Sequence, residues 1–166
     1  MHKRTSSIAF LISVVIFSGC SSVKVVDGSV VPGIYEMNQV QSISSKDHVA
    51  GHYHIGDHWD LKTETRKVPL IKGIEFGIKY ELQIKQEYVD VRQVVKYPSV
   101  GLKNPETGKT LYSSYIIQRL SPGGHTGLST YKLNEPWEMV SGEWIFEIIV
   151  NNETLIKETV VVGEAP

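Results

Sequence analysis

Four histidines fall within eleven residues in the stretch His48-Val49-Ala50-Gly51-His52-Tyr53-His54-Ile55-Gly56-Asp57-His58-Trp59-Asp60. Neutral imidazole nitrogens bind zinc or copper, and a nearby carboxylate that accepts from the other ring nitrogen fixes the ring's orientation. On a strand, His52 and His54 project to one face, and a turn after Gly56 would bring His58 or Asp57 back toward them. The spacing therefore makes His52, His54 and His58 the candidate metal ligands, with zinc or copper as the ion they would hold and Asp57 or Asp60 as the orienting acceptor. Two other readings stand beside this one. The same residues describe a solvated polar strand, on which His-x-His arises by chance, and closely spaced imidazoles titrating near pH ~6.5 describe a pH-responsive surface.

Nucleophilic chemistry has less to build on. No Gly-x-Ser-x-Gly occurs, and the Ser-x-x-Lys match Ser21-Ser22-Val23-Lys24 falls in a segment that reads as a tether, which cannot preorganise a site. His125, in Pro122-Gly123-Gly124-His125-Thr126-Gly127, has no nucleophile paired with it by spacing. Paired carboxylates for glycosidase chemistry are a property of the fold and leave no pattern in a sequence. No catalytic residue is assigned, so the expectation is a non-enzymatic domain, with a periplasmic hydrolase as the enzymatic alternative. For partner binding the candidates are Trp59 and Trp137. The second lies in Asn134-Glu135-Pro136-Trp137-Glu138, where an aromatic ring either meets a partner or covers the end of a fold.

The chain has one cysteine, Cys20. Before it stand a basic start, Met1 to Arg4, and an apolar run from Ile8 to Phe17, too short to span a bilayer, which needs roughly 20 apolar residues, and suited to an export signal. Phe17-Ser18-Gly19-Cys20 resembles the lipobox of bacterial lipoproteins, with Phe where Leu is usual. The resemblance implies cleavage before Cys20 and lipid on its sulfur, and Ser21 in the next position implies sorting to the outer membrane, facing the periplasm. An ordinary secretory signal with a chance cysteine is the alternative. Residues 1–19 are thus expected to be signal, 20–31 the lipidated cysteine and a tether, and 32–166 one domain. Without the signal the chain carries fifteen Lys plus Arg against eighteen Asp plus Glu, which leaves no basic footprint for nucleic acid.

What must position these residues is a β structure. Glu75 to Ile84 alternates strictly, with Phe76, Ile78, Tyr80, Leu82 and Ile84 on one face. Tyr88 to Tyr97 is rich in β-branched and aromatic residues and closes at Pro98. Glu143–Val150 and Thr154–Val162 flank Asn151-Asn152-Glu153, and Asn tolerates the positive φ of a tight hairpin. Apolar residues on both faces of Glu143–Val150 make that strand central. Weaker strands are Gly33–Met37, Ala50–Ile55, Arg66–Ile71, Thr110–Gln118 and Ser129–Leu133, with turns at Asn104–Gly108 and Pro122–Gly124. No segment keeps a 3.6-residue period. Eight to nine short strands without crossover helices predict an all-β fold, an antiparallel immunoglobulin-like sandwich.

Gly33-Ile34-Tyr35, Gly73-Ile74-Glu75-Phe76-Gly77 and Gly142-Glu143-Trp144-Ile145-Phe146 occur in that order. Together they resemble the uncharacterised bacterial family DUF3859, in which a Gly-x-x-Phe-Gly strand precedes a Gly-x-Trp-x-Phe strand and a closing hairpin. Tyr97-Pro98 stands where that family often has His-Pro. The resemblance spans Gly33 to Val162 and implies an immunoglobulin-like sandwich with no established activity and no functional residues to carry over. The function expected is that of an envelope module held to a membrane by lipid on Cys20. It would bind a protein, peptide or glycan through loops or a strand edge, with metal binding at the histidine cluster as the alternative.

Overall fold

The computed structural model describes residues 22–163 apart from 47 and 86, with the backbone alone at 39, 40 and 54–57. Cys20 and the signal segment lie outside the described residues, as do the side chains of His54 and Asp57. In chain order the strands are β1 (Val23–Val25), β2 (Val31–Ser44), β3 (His52–Glu64), β4 (Lys67–Pro69), β5 (Glu75–Ile84), β6 (Val89–Lys96), β7 (Leu102–Lys103), β8 (Thr110–Leu111), β9 (Ser113–Leu120), β10 (Gly123–Lys132), β11 (Gly142–Val150) and β12 (Glu153–Gly163). A short 3-10 turn spans Pro136–Glu138. One sheet places β10 on one side of β5 and β1, β2 and β3 on the other; the second runs β4-β12-β11-β6-β9; β7 and β8 form a small separate pair. All pairs are antiparallel except β4 with β12, which is parallel.

The two sheets bury one core between them. From β5 come Phe76, Ile78, Tyr80, Leu82 and Ile84, none more than 2% exposed, as the alternation required. Trp144 and Phe146 answer from β11, each edge-on to Phe76, with ring centroids 5.3 and 6.0 Å away. Trp144 is wholly buried, packs on Tyr97 and Tyr131, and donates from Nε1 to the Val140 carbonyl at 3.3 Å. Full burial of apolar side chains such as Phe76 contributes about 1.5–3 kcal/mol apiece. β11 lies between β12 and β6, as its two apolar faces predict. On its outer face Glu147 is held by Lys96 Nζ at 2.8 Å. The hairpin to β12 turns on Asn151 and Asn152, with φ of 52° and 63°.

Four expectations need correction. Residues 23–25 are not tether: β1 pairs with Leu82–Ile84 of β5, and Val23 is only 3% exposed, because its side chain closes one end of the core. β2 and β3 are far longer than Gly33–Met37 and Ala50–Ile55. They form one ribbon whose register runs from Gly33 opposite Glu64 to Ser44 opposite His52, with a bulge near Tyr35. Gly56 and Asp57 make no turn; Gly56 sits mid-strand opposite Val40. Finally, β10 begins at Gly123 rather than Ser129, so the turn after β9 is shorter than Pro122–Gly124 and the two glycines already pair with Ile84 and Gln83.

Candidate binding cleft

β2 pairs with β5 only over Val31–Tyr35, while its pairing with β3 continues to Ser44. The distal half of the ribbon therefore projects from the sheet, and its tip returns to the body. Val49 there is 5% exposed, and its carbonyl accepts from Asn104 Nδ2 at 3.0 Å. The His48 ring lies parallel to Tyr131 at 6.5 Å and 5.7 Å from Tyr53. Asn104 is fixed for this task by its own turn, since its Oδ1 accepts from Glu106 N at 2.8 Å.

Between the ribbon and the body lies a cleft of about 640 Å³. Met37, Tyr53 and Trp59 line it from the ribbon, Thr126–Lys132 from β10, Ser114–Gln118 from β9, and Gln93 and Val95 from β6. Among the described residues β9 pairs only with β6 and β10 only with β5, so each is the edge of its sheet and both edges border this one cleft. Trp59 is half-buried. Its ring meets Tyr35 edge-on at 6.1 Å, with Lys79 Nζ 5.9 Å from its centroid. Tyr35 is held in turn by its hydroxyl, which donates to the Val31 carbonyl at 2.6 Å and accepts from Lys79 N at 3.2 Å.

Among the described residues two carboxylates line the cleft, and both are engaged. Glu138, 2% exposed, accepts from the Tyr131 hydroxyl at 2.7 Å and from the backbone N–H groups of Asn134 and Glu135, each at 2.8 Å. Burial pushes the phenols of Tyr80, Tyr97 and Tyr131 far above their ordinary range, so Tyr131 stays a donor to Glu138 at any physiological pH. Glu75 accepts from Thr130 Oγ1 at 2.7 Å; burial raises its pKa, partly opposed by that hydrogen bond and by Lys132. A carboxyl whose folded pKa is raised binds its proton more tightly in the folded chain, so its ionisation costs stability as pH rises above the unfolded value of about 4.3. Glu75→Gln keeps an acceptor for Thr130 and removes that ionisation. Urea unfolding should find it more stable than the native chain at pH 7, with the gap closing as pH falls toward 4. A gap of the same size at both pH values would show that ionisation of Glu75 is not the cause.

The histidines do not gather. His52 to His58 is six steps along one continuous strand, about 20 Å at 3.3 Å per residue, so the backbone holds His52 and His58 too far apart to share one ion. His52 lines the cleft, His58 is exposed, and His54 is placed only by its backbone pairing with Ser42. Among the described residues no three His, Cys, Asp or Glu side chains are grouped as a metal would need. His125 contacts its own turn, with Nε2 2.7 Å from the Ser121 carbonyl. Of the two candidate tryptophans, Trp59 faces the cleft, whereas Trp137 packs against the core from the 3-10 turn and does not line it. The β9 and β10 edges and Glu138 went unread in the sequence, because which strands end a sheet is settled by tertiary pairing.

Exposed edge amides, aromatic walls and engaged carboxylates suit non-covalent capture, and the frame that carries them is an immunoglobulin-like domain. A crystal structure described as an immunoglobulin-like protein from Pseudomonas aeruginosa matches it with a TM-score of 0.61 at 23% identity, covering 86% of this chain and 97% of that one. The chain belongs to the DUF3859 family, a domain of unknown function, whose model matches residues 23–162. That match starts at Val23, where β1 starts, and so takes in the segment expected to be tether. No curated protein matches the chain.

Proposed function

We propose that this protein is a lipid-anchored envelope module, held to the outer membrane through Cys20, whose sandwich binds an extended segment of a partner protein without catalysis. The observation that carries the binding role is that two sheet edges, β9 and β10, open onto the same cleft beside Trp59. An unpaired edge offers a row of N–H and C=O groups, and an incoming strand that pairs with it places alternate side chains toward the cleft walls. The anchor rests on Phe17-Ser18-Gly19-Cys20 and on Cys20 being the chain's one cysteine.

A photoreactive residue at Ile117 on β9 or Thr126 on β10 should form a discrete adduct with a partner in intact cells, while one at Val161, exposed on β12, should not. Trp59→Ala should weaken capture by roughly 30-fold, the effect of losing a ~2 kcal/mol aromatic anchor. Equal adducts at Ile117 and Val161, or no effect of Trp59→Ala, would remove the cleft from consideration.

A further inference from the structure

We infer that the sandwich stands upright on the bilayer, with the end formed by the β5–β6, β9–β10 and β11–β12 connections resting on the lipid surface and the cleft's aromatic end held away from it. The inference rests on the Cys20 anchor proposed above and adds to it the absence of slack. Val23 is already in the sheet, and the Ser22 carbonyl accepts from Lys85 N at 2.9 Å. From Cys20 to Val23 the backbone can span at most about 11 Å, three steps of ~3.6 Å, so the first strand begins next to any lipid on Cys20.

Register fixes which end is held down. β1 joins β5 at Ile84, the last residue of that strand, and Gly123 at the start of β10 pairs with the same residue. In the other sheet Val89 pairs with Leu120, and Val150 with Val91, so the connections around Tyr88, Pro122 and Asn151 belong to this same end. β10 then runs from Gly123 to Lys132 opposite Glu75, nine steps or about 30 Å, toward the end where Tyr131 meets Glu138 and His48. The anchored end presents Tyr88, 64% exposed, with the Arg119 guanidinium 5.8 Å over its ring, a pairing suited to the headgroup region where tyrosine collects. Lys24, Lys85 and Arg119 are matched there by Glu87, Asp90 and Glu153, so the short covalent link, rather than net charge, sets the orientation.

The test uses the full-length protein, purified from membranes and reconstituted in phosphatidylethanolamine–phosphatidylglycerol vesicles carrying a headgroup-level quencher. Lipid on Cys20 leaves an introduced cysteine as the one labelled thiol. A fluorophore at Tyr88→Cys or Pro122→Cys should be quenched several-fold more strongly than one at Glu106→Cys or Glu135→Cys, all four positions being exposed. Equal quenching at both ends, or the reverse order, in a chain that labels only at the introduced thiol overturns the orientation alone. If the unsubstituted chain takes up label at Cys20, the anchor itself fails and the orientation falls with it.

Discussion

Gly77→Ala should leave the domain unfolded or reduced to a loosened state, an expected loss above about 4 kcal/mol from a total of about 5–15 for a domain of this size. Gly77 sits inside β5 opposite Thr130, where the two backbones approach so closely that a Cβ would overlap the Ser129 carbonyl oxygen and come within 2.7 Å of Thr130 Cα. Neither obstacle is the movable end of a side chain, so relief requires parting β5 from β10 along a ladder that holds the core face of Tyr80, Ile78 and Phe76 in place. Gly28→Ala is the control: its φ is +72°, but the space around it is open, so its cost is the left-handed penalty of about 1–2 kcal/mol. Far-UV circular dichroism and urea unfolding of both variants check the pair. A Gly77→Ala midpoint no lower than that of Gly28→Ala would mean that the strands can part cheaply.

The same glycine shows how far the sequence could be read. Gly77 marked a motif, and a glycine within an alternating run signals close backbone approach, yet only the register says that Ser129 and Thr130 are what approaches. Phe76 to Ile84, the two-faced β11 and the Asn151-Asn152 turn were legible because each is a local pattern of burial or φ. β1 was not, since Val23 and Val25 give two apolar positions in three residues and their partner is some sixty residues away. The ribbon was misread for a different reason. Beyond Tyr35 it has no third strand, much of it faces solvent, and no alternation is imposed on it, so Gly56-Asp57 reads as a turn although both lie in β3. The expected metal site relied on that turn, and in its place a continuous strand separates His52 from His58. Trp59 was singled out because an aromatic near a loop-like stretch is conspicuous; the edges of β9 and β10 that border the same cleft exist only once the sheets are assembled.

Glu138→Ala should cost about 3–5 kcal/mol, because it removes the acceptor of three donors at once and leaves them without it in a buried place. The donors are the Tyr131 hydroxyl and the N–H groups of Asn134 and Glu135, and the two amides belong to the start of the 3-10 turn that brings Trp137 onto the core. Glu138→Gln retains one carbonyl for the amides, and its amide can donate to the Tyr131 oxygen, so it should lose only about 1 kcal/mol. The consequence extends past stability. Tyr131 packs at 4.8 Å on Trp144 and stacks with His48 at the ribbon tip, so a Tyr131 ring no longer tied to Glu138 loosens the contact that returns the ribbon to the body. Near-UV circular dichroism, which reads the packing of Tyr131 and Trp144, should therefore change in Glu138→Ala under conditions where the far-UV spectrum is still native, and should remain native in Glu138→Gln. If the two variants behave alike, the carboxylate serves only as local capping of the 3-10 turn, and the wall of the cleft is held by the packing of its rings.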